Sequence, residues 1–135
     1  MIPTDASLEE VRQFFSQDKF ATDACGASIV RAEKGKAVCE CEIKEIHRNA
    51  MGGVMGGAIF TLADFALAIA SNIGEAPTVS VSNTIEFLSA AKGENLIATC
   101  TTEKSGKSLG FYTVNVTDEL DTPVARMQAT CFRRS

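Results

Sequence analysis

The sequence predicts an α+β domain in which a six-stranded antiparallel sheet wraps one long central helix. Three observations predict it. The stretch over 56–72 is apolar on nearly every side, and such a helix must be buried nearly all round. Strand-like segments follow at 78–88, 94–103, 107–118 and 122–133, joined by the short turns AAKGE, EKSGK and DELDT. Short turns between consecutive strands favour antiparallel pairing, and a strand pair also precedes the helix, so one sheet must cover it.

The elements follow in order. The N-terminal stretch TDASLEEVRQFFSQD reads as an amphipathic helix within residues 1–20. Ser7 and Glu10 have capping-box spacing, and Leu8, Val11, Phe14 and Phe15 form an apolar stripe that would cover one edge of the core. ACGASIVRAEKGKAVCECEIK reads as a hairpin turning at Lys34-Gly35. In its second strand Ala37, Cys39, Cys41 and Ile43 alternate with Glu40, Glu42 and Lys44. Residues 45–55 form a Gly-rich connection, and Gly74 is placed to stop the central helix. Residues 1–135 read as one domain, long enough to build a core without disulfides or a structural metal.

Composition excludes several function classes. A net charge of −4 argues against a nucleic-acid binder, which needs a broad basic surface. The longest near-continuous apolar stretch, 58–70, is too short for a membrane span and carries Asp64 at its centre. The N-terminus lacks a basic segment followed by an apolar one, so no signal peptide is expected. The five cysteines, an odd number without CxxC spacing, point to structural thiols in a reducing cytoplasm and to no metal site.

Asp64 is the one ionisable side chain between Asn49 and Gly74. A buried ionised carboxylate is costly unless paired, solvated or shifted in pKa. Thr61, Asp64, Ala68 and Ser71 are spaced to share one strip of the helix. Ahead of them, GGVMGG puts Gly56 and Gly57 at the helix start, where free N–H groups and the helix dipole can polarise a carbonyl. Asp64 lies seven residues beyond Gly57, about 10 Å along the axis at ~1.5 Å per residue. A base and an oxyanion donor serving one carbonyl must both lie within about 3–4 Å of it. Two antiparallel copies of the helix across a two-fold axis would meet that condition, each site drawing on both subunits.

HRNAMGGVMGGAIFTLAD resembles the signature of the hotdog-fold acyl-CoA thioesterases, in particular the phenylacetic-acid-degradation branch of the 4-hydroxybenzoyl-CoA thioesterase superfamily. Asn49, Gly52, Gly56, Gly57 and Leu62-Ala63-Asp64 fall in register with it, and the likeness extends over about residues 20–133. The resemblance implies a hotdog fold, a homodimer commonly paired into a homotetramer, and hydrolysis of a CoA thioester. It makes Asp64 the base or nucleophile, Gly56 or Gly57 the carbonyl donor, Asn49 a positioning group and Ser82 a residue that assists the water. One residue departs from the pattern: Met55 stands where the family has a histidine, and methionine has no hydrogen-bond donor.

Thioester hydrolysis suits this inventory, because a thiolate leaves readily and neither metal nor cofactor is required, coenzyme A being part of the substrate. Met55, His47 (the only histidine) and Phe60 are candidates for substrate contact, with Phe65 and Phe87 as further acyl-lining residues. Lys92, Lys104 and Lys107, with Arg133 and Arg134, are candidates for the CoA phosphates. Two other readings stay open: a non-hydrolytic acyl-CoA binding protein, and a hotdog dehydratase, which Met55 disfavours.

Overall fold

The computed structural model describes residues 1–134. Helix α1, Leu8–Phe15, begins at the expected capping box: Ser7 Oγ accepts from the Glu10 N–H at 3.1 Å, and Glu10 accepts from the Ser7 N–H at 2.9 Å. Val11 and Phe15 point into the core, whereas Phe14 stays exposed. The helix is shorter than the pattern predicts. It stops at Ser16, and the chain then coils through a single wide turn of π-helix, Phe20–Ala24, closed by Cys25 N–H on Phe20 O at 3.0 Å.

Strands β1 (Ser28–Glu33) and β2 (Lys36–Glu42) form the expected hairpin, with Gly35 at φ +78° in its turn. A short 3-10 turn, Glu45–His47, leads to the glycine-rich loop and to helix α2, Gly56–Asn72. Gly74, at φ +71°, carries the chain past the helix end in the left-handed region where glycine has no penalty. Strands β3 (Thr78–Phe87), β4 (Asn95–Ser105), β5 (Leu109–Asp118) and β6 (Pro123–Arg133) follow.

All six strands join one antiparallel sheet in the order β1-β2-β4-β5-β6-β3. The sheet embraces α2, which lies chiefly over β2 and β4. The faces of those strands toward it carry Ala37, Cys39, Ala98 and Cys100, all fully buried. Small side chains there let the helix approach closely, and the thiols act as small apolar groups. Leu62, Phe65, Leu67 and Ile69 fill the remaining space, each contributing roughly 1.5–3 kcal/mol over an exposed position. Among the described residues all the cysteines are free thiols.

The β5–β6 turn is tied to the β3–β4 connection by Asp118. Its buried carboxylate accepts N–H bonds from Lys92, Gly93, Leu120 and Thr122 at 2.8–2.9 Å. Burial alone would push this carboxyl up, but the donors from Thr122, Gly93 and Lys92 hold it well below the usual range. The order of strands leaves β1 and β3 with one free edge each. The β3 edge is long and shows Val79, Val81 and Phe87 to solvent.

Candidate active site

The start of α2 is an uncapped cluster of donors. Met55 holds the N-cap position, and its carbonyl takes the N–H groups of Ala58 and Ile59 at 3.0 and 3.2 Å. Its thioether makes no cap, and the N–H groups of Gly56 and Gly57 meet no acceptor among the described residues. Together with the helix dipole they form a place for an anionic oxygen. The preceding loop is fixed from within. Asn49 Oδ1 accepts from Met51 N–H at 3.0 Å and Gly53 N–H at 3.1 Å, and the Asn49 N–H bonds Gly53 O at 2.7 Å. The Asn49 NH2 is left to donate outward. Gly56 backs onto the Phe87 ring, whereas Gly57 faces open space. A cleft of about 420 Å³ opens here, lined by Gly53, Gly56, Ile59, Phe87 and Ala91 among others.

Asp64 opens into a different cleft. This one measures about 370 Å³ and is walled by Phe20, Ala21, Phe60, Phe65 and Ala68, with Thr61, Asp18 and Lys19 completing it. No hydrogen bond or ion pair reaches the Asp64 carboxylate among the described residues. The side chain keeps solvent contact, yet the apolar walls close round it enough that desolvation pushes its pKa up, and the like charge of Asp18 adds to this. Burial likewise raises Asp18. The predicted polar strip is real over its first part, where Thr61, Asp64 and Ala68 share the cleft; Ser71 continues it into the core, 2% exposed.

Asp64 and Gly56 thus sit on one helix but line two clefts with no residue in common, and Gly57 lies beside Gly56 at the helix start.

The strand residues sort differently from the expectation. A β-bulge at Val81 breaks the alternation: Ser80 pairs with Cys131, and Ser82 with Thr130. Ser82, Thr84 and Glu86 therefore lie on the outer face, with Thr130, Gln128 and Arg126, and Glu86 pairs with Arg126 at 2.7 Å. Ser82, which the resemblance makes the residue that assists the water, thus points away from α2. Ser80 faces the helix with Asn83, whose Nδ2 donates to its hydroxyl at 3.2 Å. Its partner Cys131 has a thiol pushed up to about 11, by burial first and by Asp64 second, so this part of β6 senses the carboxylate.

His47, a candidate for substrate contact, is taken up by the fold instead. It is buried, Nδ1 accepts from the Lys44 N–H at 2.9 Å, and Nε2 donates to Cys25 O at 2.7 Å. Both ring nitrogens are used in holding the 3-10 turn. Met55 is about half exposed beside the free N–H groups. Phe60 and Phe65 line the Asp64 cleft, and Phe87 the other. The cations are not gathered in one chain. Lys92 precedes β4 while Lys104 and Lys107 lie at its far end, roughly 30 Å away at ~3.3 Å per residue. Arg133 is buried, ion-paired with Glu75 at 2.9 Å and donating to Gly106 O and Ser105 Oγ, and Arg134 is exposed.

Two residues of the Asp64 cleft, and the face of one strand residue, escape a reading of the sequence. Asp18 and Phe20 are more than forty residues from Asp64 and carry no periodic signal, and Ser80 is exchanged for Ser82 by the bulge.

Comparison with known proteins identifies the fold and the family. The Thioesterase superfamily pattern matches residues 51–125. The chain is 38% identical over 95 residues to acyl-coenzyme A thioesterase 13 of Homo sapiens, covering 68% of each chain. Its fold superimposes on the PaaI protein of Escherichia coli, from the phenylacetic acid degradation operon, with a TM-score of 0.82 at 25% identity, over 96% of this chain and 97% of that one. It also superimposes on smu.793 of Streptococcus mutans bound to acetyl CoA, with a TM-score of 0.74 at 26% identity, over 80% and 91% of the chains. The curved antiparallel sheet around α2 is the hotdog fold, and the chain belongs to the thioesterase superfamily.

Proposed function

We propose that this protein hydrolyses an acyl-CoA thioester to the free acid and CoA, at a site shared by two copies of the chain. The observation that carries the reading is the separation of Asp64 and Gly56, at the donor end of the helix, into two clefts. Neither cleft alone holds both a base and an oxyanion donor. Antiparallel pairing of two free β3 edges about a two-fold axis would bring two α2 helices alongside each other in opposite directions, offering each glycine pair the partner's Asp64. A pair of such dimers would make the homotetramer expected from the family. The names of the relatives and the acetyl CoA on smu.793 support the substrate class.

The chemistry follows from the groups. Gly56 and Gly57 N–H donate to the thioester carbonyl oxygen, and the Asn49 NH2 adds a donor from the same loop. Asp64 of the partner subunit takes a proton from water as the water oxygen attacks the carbonyl carbon. Its raised pKa, caused first by desolvation, makes it a stronger base than an ordinary carboxylate. Ser80, on the helix-facing side of β3, takes the water-holding role expected of Ser82. The oxyanion collapses, the C–S bond breaks, and the thiolate leaves with a conjugate pKa of about 8.5. No metal or cofactor enters.

Co-expression of two differently tagged variants tests this. Asp64→Asn removes the base, and Gly57→Pro removes an N–H at a position where the first helical turn accommodates proline. Each homodimer should release almost no thiol. Random mixing should recover about a quarter of wild-type activity, because half the dimers are mixed and each has one intact site. Purified mixed dimers without activity would sink the shared site. The binding-protein reading draws on Met55, which brings no donor to the carbonyl site; thiol release no faster than by Asp64→Asn, with CoA still bound, would favour it.

A further inference from the structure

The Asp64 cleft carries a feature that thioester hydrolysis does not use. Asp18 lines it as well, and the two carboxylates are the cleft's unpaired charges. Lys19, the one cation there, is turned to Asp23 at 3.8 Å, and Cys131 approaches from β6 as a neutral thiol. Asp18 is held in place by its backbone. Its N–H bonds Phe15 O at 3.0 Å, and its carbonyl accepts from both the N–H and the hydroxyl of Thr22 at 3.0 Å. The end of α1 and the π-helical turn therefore fix Asp18 in the cleft that Asp64 of α2 lines, with Phe20, Phe60 and Phe65 in its walls. Phe20 continues the apolar wall to the rim, 69% exposed. A space with apolar walls and two carboxylates against one lysine, itself exposed and paired with Asp23, favours a neutral acyl group and repels an anionic one.

Resting on the reading that the acyl group of the substrate enters beside Asp64, we propose that Asp18 is a specificity residue of this cleft: its unpaired carboxylate turns away acyl groups that carry a carboxylate of their own. Asp18 takes no part in bond making. It selects by charge, and the same charge bears on Asp64, so removing it also makes Asp64 more acidic.

The test compares pentanoyl-CoA with glutaryl-CoA, five-carbon acyl groups that differ by a terminal carboxylate. Wild type should prefer pentanoyl-CoA. Asp18→Asn should raise the glutaryl-to-pentanoyl ratio of kcat/KM roughly five- to tenfold, the scale of one like charge at close range near a surface, and Asp18→Lys should raise it further. The acid limb of the pH profile should move to lower pH in both variants, which a merely structural role for Asp18 would not produce. Glu33→Gln, on the distant β1 edge, should change neither. A ratio within twofold of wild type in both Asp18 variants overturns the proposal. If turnover is absent, the ratio of dissociation constants from calorimetry decides the matter by the same twofold criterion. Retained hydrolysis by Asp64→Asn would defeat the assignment of the base and leave the Asp18 result standing, and failure to bind either thioester would defeat both.

Discussion

The packing of Phe87 on the first residue of α2 sets up a comparison between neighbouring glycines. A Cβ added to Gly56 would sit 3.1 Å from Phe87 Cζ and 3.3 Å from Cε1, while one added to Gly57 meets nothing within 4 Å. Carbon atoms prefer about 3.5–4.0 Å, so Gly56→Ala must push the ring back by about 0.5 Å. Alanine gains about 0.5–1 kcal/mol over glycine in a helix, less in the first turn. Overpacking costs about 1–3 kcal/mol, at the low end here because Phe87 is half exposed and can yield. Gly57→Ala should therefore stabilise by about 0.5 kcal/mol, while Gly56→Ala should be neutral or destabilising by up to about 1 kcal/mol. For a chain of this length 1 kcal/mol moves Tm by about 3–5 °C, so the two variants should separate by several degrees in thermal unfolding. Phe87→Ala in the Gly56→Ala background should remove the difference, giving a coupling of about 1 kcal/mol in the double-mutant cycle. Equal stabilisation by both alanines, or no coupling to Phe87, would refute the packing of Phe87 on Gly56.

Asp64→Asn should lose activity yet raise Tm at neutral pH. The folded pKa lies above the unfolded one, so the ionised carboxylate opposes folding above that window, and the gain should vanish below about pH 4, where both states are protonated. Asp118 has the opposite sign. Its depressed pKa contributes stability that is complete above the unfolded value of about 3.9 and is lost as pH falls; Asp118→Asn should lower Tm at pH 7, with the difference shrinking in acid. A thiol-reactive dye at pH 8 should label Cys25 in the folded protein. It should spare Cys39 and Cys100, pushed up to about 12 by burial, and Cys41 and Cys131, pushed up to about 11, until denaturant is added.

The fold was legible because its signals are local. The apolar run that becomes α2 has no other soluble solution, and its bounds, Gly56–Asn72, match the predicted 56–72. The four later strands fall within two residues of their predicted ends, set by Gly, Lys and Asp turn chemistry. The glycines and Asp64 could be picked out because their residue types and spacing are unusual, and Asn49 through the family resemblance. What failed was long-range or one residue wide. The bulge at Val81 reverses the faces of Ser80 and Ser82 without any change in composition. The pinned ring of His47 depends on backbone groups of Cys25 and Lys44, which no pattern around residue 47 announces. Asp18 reaches the Asp64 cleft only because α1 ends early and the π-helical turn folds back.

The free edge of β3 has a consequence for how such a chain can vary. Ten residues of open backbone, with Val79, Val81 and Phe87 in view, form a template on which any passing strand can polymerise. In the assembly proposed above, the same edge is hidden by the contact that completes the catalytic pair. Solubility and turnover then answer to one row of atoms. A substitution that loosens the row is penalised twice, as aggregate and as idle enzyme, so drift along β3 should be slower than drift along β1, whose short, charged edge does neither job.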